Sequence, residues 1–137
     1  MESWREVWRK AFGRVLPLAG LRALADALRD DDPRLRQGNT TCPPPLMCVS
    51  DWPCEGACAL GFTGWQNADD PLATVGEVEE HFAAMCFQAD QLLGEPAGCG
   101  WFLNWFDDTP RDVMRADLLP EVERAIAERE SLTPAGD

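Results

Sequence analysis

Residues 74–94, TVGEVEEHFAAMCFQADQLLG, constrain the fold more than any other stretch of the chain. Thr74 and Glu77 stand three apart, the spacing in which a hydroxyl and a carboxylate cap each other's backbone N–H groups at a helix start. Val78, Phe82, Met85, Cys86, Ala89, Leu92 and Leu93 then recur at steps of three and four, which places them on one helical face. Gly94 supplies the left-handed residue that ends a helix. An apolar face of this length must be covered by other elements, so a helical packing partner is required.

The N-terminal third offers such partners. In SWREVWRKAFGRVL, Ser3 and Glu6 repeat the capping pattern, and Trp4, Val7, Trp8, Ala11, Phe12 and Val15 follow at helical spacing. Pro17 ends or kinks that helix. LAGLRALADALRDDD carries Leu18, Leu21, Leu24, Ala25 and Leu28 on one face. Its three terminal aspartates oppose the helix dipole, which predicts a frayed end.

The middle is harder to assign. Gly38, Asn39 and three consecutive prolines make residues 34–50 loop-like, with a short strand expected at 46–49. Asp51 reads as the N-cap of a helix over WPCEGACALGF, with Pro53 in its first turn. The run WFLNWF at 101–106 is apolar on both sides whether extended or helical. It is expected to be core, as a second extended segment or a short buried turn, with Asn104 hydrogen-bonded inside. Thr109, Pro110 and Asp112 open another helix, and Pro120 is expected to divide the C-terminal region. The last helix should turn Leu118, Leu119, Val122 and Ile126 inward. The chain of 137 residues, 45% of them hydrophobic, can fill one core. It therefore reads as an all-α or mainly α single domain over 1–130. Five to six helices, at most two short extended segments and a flexible tail at 131–137 are expected.

Charge divides the chain into three parts. Residues 1–36 hold eight basic and six acidic groups, and residues 105–137 hold four basic and nine acidic. Residues 37–104 hold nine acidic groups and no lysine or arginine, within a net charge of −12. Direct nucleic-acid binding needs a basic face and is not expected. A partner with a basic surface is, and Trp65, Asp69, Asp70, Glu77 and Glu80 are the candidates to meet it. The stretches free of charge are too short to span a bilayer. With no secretory leader recognisable in MESWREVWRK, a cytoplasmic protein with reduced thiols is expected.

Two chemistries deserve weighing. Cys42, Cys48, Cys54 and Cys58 fall close together, but their spacing departs from the paired knuckles of zinc sites. A thiolate metal site is thus an alternative and no cofactor is expected. Cys54, near an expected helix start, could be a nucleophile with His81, the single histidine, as its base. Asn104 or Asp107 could orient that imidazole. The helical register instead turns His81 to solvent beside Glu77. The acid pairs Asp69–Asp70 and Asp107–Asp108 read as helix-start residues. No glycine loop for phosphate is present, and Lys10 is the sole lysine. The run DDTPRDVMRADLL, residues 107–119, resembles a short repeat-companion domain common in planctomycete proteins, a likeness that implies no activity. The expectation is a non-enzymatic acidic adaptor or regulatory protein. The alternatives are an acidic mimic of nucleic acid, a small cysteine hydrolase and a metal-binding module.

Overall fold

The computed structural model describes residues 3–44 and 50–132. The strand expected at 46–49 and residues 133–137 of the expected tail lie outside them, while Ser131, expected in that tail, is the last residue of a helix. Within the described residues the fold is mainly α, as expected, with a two-stranded ribbon as its only sheet.

The first rod comprises α1 (Trp4–Val7), a π-helical turn (Trp8–Phe12) and α2 (Gly13–Val15). Ser3 Oγ accepts the Glu6 N–H at 3.2 Å, as its spacing predicts. Val7, Trp8, Ala11 and Phe12 are all buried, and the wide turn presents them together to the core. Extended backbone at Leu16 and Pro17 then turns the chain into α3 (Leu18–Asp30). Leu21, Leu24, Ala25 and Leu28 are buried there, at the predicted spacing. Gly20 lies where α3 crosses the helix α4 (Ala59–Trp65), and a Cβ at that position would run into the Thr63 backbone.

The end of α3 is pinned, against expectation. Asp31 takes a left-handed conformation as the C-cap, and Arg111 and Arg115 reach it from the helix α7 (Arg111–Ser131). Arg115 donates to the carbonyls of Leu28 and Arg29 at 2.8 and 3.0 Å. Arg111 donates to the carbonyls of Asp32 and Leu35 and to the Asp31 carboxylate. Cations from another helix thus satisfy the orphan carbonyls that the aspartates could not.

After α3 come β1 (Thr41–Cys42) and β2 (Gly56–Ala57), paired antiparallel. The helix expected from Asp51 is absent as such. Residues 50–54 instead run beside residues 73–76, bonded through Ser50, Trp52 and Cys54, and α4 begins only after Cys58. Pro53 and Gly56 explain the difference, since neither favours a continuing helix. The helix α5 (Val75–Leu93) forms with its reciprocal Thr74–Glu77 cap and Gly94 at φ 69°. Val78, Met85 and Ala89 are buried and Phe82, Cys86 and Leu93 half-buried, while Leu92 is exposed rather than inward.

Residues 101–106 are helical, not extended. They belong to α6 (Gly100–Asp108), which Asp90 helps to start by accepting the Ala97 and Cys99 N–H groups. Helical geometry buries Phe102 and Phe106 and exposes Trp101 and Asn104, so the buried Asn104 of the sequence reading is not found. Phe102 is the hub of the aromatic core, with the rings of Trp8 and Phe12 centred 5.4 and 5.3 Å away. Trp105 is half-buried and stacks on Trp4 at 3.6 Å, tying α6 to α1. Finally α7 continues through Pro120 rather than dividing there. Ala116, whose carbonyl loses its usual donor, sits on the exposed side, where water can replace it.

Candidate functional site

The proposed nucleophile and base do not meet. Cys54 is buried in an irregular segment, without a helix dipole behind it, and its thiol donates to the Gly56 carbonyl at 3.2 Å. Burial pushes this thiol up, away from the reactive thiolate. His81 is not turned to solvent. It is half-buried under α4, where Gly64 leaves room for its ring. Its Nε2 lies 3.2 Å from Thr63 Oγ1. Thr63 gives its one proton to the Leu60 carbonyl at 2.7 Å, so Nε2 is the donor in the imidazole contact. Desolvation holds His81 below its ordinary value, in keeping with a neutral packing residue. Its expected orienting groups lie elsewhere, since Asn104 is exposed and Asp107 accepts the Gly38 N–H at 2.9 Å.

Two thiols of the candidate metal set, Cys54 and Cys58, are buried in the fold. Cys42 sits on β1, and its carbonyl accepts the Glu55 N–H at 2.7 Å. Cys58, the N-cap residue of α4, is buried beside a cavity of about 90 Å³ lined by Phe82, Phe102 and Phe106, and its thiol is pushed up to about 12 by burial. Cys48 lies outside the described residues. Among the described residues no group of three or more histidine, cysteine or acidic side chains is placed to hold a metal ion. Nor is any helix among them long and apolar enough to cross a membrane. The pairing that sequence reading missed is Cys86 with Cys99. These residues lie on either side of the α5–α6 loop, and the signal that could have found them was the Gly94 turn that folds the chain back.

Seven of the nine acids of residues 37–104 lie in or near the start of α5, while Asp90 and Glu95 lie at its far end. The bonds Gly76 N–H to Ser50, Val75 N–H to Trp52 and Cys54 N–H to Ala73 bring Asp51 and Glu55 beside Glu77, Glu79 and Glu80. Asp69 and Asp70 lie in the loop just before them, both exposed. Two of these carboxylates have internal work. Glu77 accepts the Ala73 and Thr74 N–H groups, which holds its carboxyl below the usual range. Glu79 accepts the hydroxyl of buried Thr41 at 2.8 Å. Asp51, Glu55, Asp69, Asp70 and Glu80 are exposed, and Trp52 among them is 55% exposed. Trp65 is half-buried, edge-on to Phe62 and under the Arg34 guanidinium at 5.5 Å. Its ring is therefore already occupied by a cation of the same chain.

Elsewhere eight carboxylates are in ion pairs. The ion pairs between described residues draw their carboxylates from the two flanks: Glu6, Asp26, Asp31, Asp32, Glu121, Glu123, Glu128 and Glu130. The most enclosed is Glu121, which takes two bonds of 2.8 Å from Arg9 and is held low by that guanidinium. Comparison with protein-family models, with curated proteins and with solved structures gave no match.

Proposed function

We propose that this chain is a non-enzymatic acidic adaptor or regulatory domain that binds a partner protein through a basic surface. One observation carries the reading: eight flank carboxylates are ion-paired with cations of the flanks, while the middle exposes acids in a segment holding no lysine or arginine. Asp51, Glu55, Asp69, Asp70 and Glu80 then form the charged contact, and exposed Trp52 offers a face for a lysine or arginine side chain. Of the residues named from sequence, Asp69, Asp70 and Glu80 remain the contact set; Glu77 and Trp65 support it from within. The five unpaired thiols of the described residues favour a reducing, cytoplasmic setting.

Gathering of the acids around one helix start also favours a second reading, an acidic mimic of nucleic acid that occupies a DNA- or RNA-binding protein. Affinity capture from the native host tests both, with a variant carrying Asp51→Asn, Glu55→Gln, Asp69→Asn, Asp70→Asn and Glu80→Gln as the control. A basic protein retained at low salt by the parent and lost from the variant is expected. Equal capture by both would refute an electrostatic site. A nucleic-acid-binding partner displaced by DNA or RNA selects the mimic over the adaptor.

A further inference from the structure

Cys86 and Cys99 are brought together by a device that uses no other chemistry in the molecule. The α5–α6 loop turns back at Gly94, with φ 69°, and at Ala97, with φ 61°. Asp90 accepts the backbone N–H groups of Ala97 and Cys99 at 3.0 and 2.9 Å, which fixes the first residues of α6 over the last turns of α5. Cys86 lies one turn before Asp90 and hence on the same face. Each thiol lies within electrostatic reach of the other, Cys86 half-buried and Cys99 buried. The other described thiols differ, since Cys54 is held by the Gly56 carbonyl and Cys58 is enclosed beside its cavity.

We propose that Cys86 and Cys99 are a thiol modification site that closes to a disulfide when it meets a small disulfide of the glutathione type. The more exposed Cys86 loses its proton to solvent, and its thiolate attacks one sulfur of the small disulfide. That S–S bond breaks and one small thiolate leaves. The Cys99 thiolate then attacks the Cys86 sulfur of the mixed disulfide and expels the second small thiolate, which takes up a proton. Two protein thiols are oxidised to one disulfide and one small disulfide is reduced to two thiols. Closure brings the two sulfurs to bonding geometry, and exposed residues 94–97 can supply the movement.

Burial and Asp90 hold both thiols above the ordinary range, Cys99 at about 11, and Cys99 raises Cys86 further while Cys86 works the other way on Cys99. Cys58 adds a smaller electrostatic push on Cys86. The resting pair is therefore a protonated dithiol whose exchange is favoured by alkaline pH. Once closed, the bond links α5 to the start of α6 and locks the loop between them.

The whole chain is incubated with oxidised glutathione at mildly alkaline pH, quenched with acid, alkylated and digested without reductant after Phe87 and Leu93. The expected product is the fragment ending at Phe87 joined to the fragment beginning at Gly94, released by reductant. The closed form should melt roughly 5–10 °C above the reduced form. Cys99→Ser should stop the reaction at a glutathione adduct on Cys86. Recovery of Cys86 and Cys99 as separate alkylated residues or separate adducts, or a Cys42–Cys54 bond in their place, overturns the proposal.

Discussion

The flanks and the middle of this chain treat charge in opposite ways. In the flanks, arginines serve the fold. Arg9 grips Glu121, Arg111 and Arg115 finish α3, and Arg129 donates to the Gly13 and Leu16 carbonyls at the end of the first rod. In the middle, from Gln37 to Asn104, no arginine or lysine is present to do such work. Helix ends there are satisfied by Thr74 with Glu77, by Gly94 and by Asp90. An acidic sequence is thus not one uniform surface. Eight flank carboxylates are paired within the fold, whereas the acids of the middle have no lysine or arginine in their own segment.

Breaking the flank frame should have the largest effect. Trp8 is 1% exposed, and its indole N–H donates to the Glu121 carbonyl at 3.1 Å. Trp8→Ala should therefore lower stability by about 3–5 kcal/mol in denaturant melts. Arg115→Ala removes two bonds to the end of α3 and should lower it by roughly 1–3 kcal/mol. A loss below about 0.5 kcal/mol would mean that the end of α3 does not need its arginines.

A smaller effect separates His81 from the carboxylates. Its folded form is held below the ordinary 6.5 by burial, so the unfolded chain binds a proton first as pH falls. The stability linked to neutral His81 is full above pH 6.5 and is lost as pH drops from there toward the folded value. Glu121, Asp31 and Asp32, held low by arginines, keep their contribution until pH falls below the ordinary carboxylate values of 4.5 and 3.8. Melts of the parent and of His81→Gln should thus diverge between pH 7 and 5. Parallel curves would place His81 in solvent.

The smallest effect belongs to the middle. Asp51, Glu55, Asp69, Asp70 and Glu80, neutralised together, should shift stability by no more than about 0.5 kcal/mol per site, because exposed acids without internal partners contribute little to folding. A large loss in the melt would show that these acids serve the fold as the flank acids do.

Legibility in the sequence followed the same division. Caps and periodicity revealed α5, the first rod and α3, because each signal is local. The π turn at Trp8–Phe12 was missed, since nothing in a helical repeat marks one wide turn. The ends of α3 and of α6 were misjudged because their partners, Arg115 and Gln37, come from distant parts of the chain. Residues 101–106 were ambiguous for a physical reason: with five apolar residues in six, no period distinguishes strand from helix. Asp107 and Asp108 were assigned to a helix start, yet they end α6 just before α7. His81 was turned outward by the register of α5 alone, without Gly64, whose missing side chain admits the ring. Candidate acids were legible as composition, but their gathering depended on residues 50–54 lying beside residues 73–76, a tertiary pairing with no local signal.

The division between flanks and middle is tested most directly by titrating the isotope-labelled chain with oligolysine and following backbone amide shifts at each residue. Shifts concentrated at Asp51–Glu55, Asp69, Asp70 and Glu79–Glu80, and abolished by salt, are the predicted result. Shifts spread evenly over α7 and the middle, or centred on Glu123, Glu128 and Glu130, would contradict it.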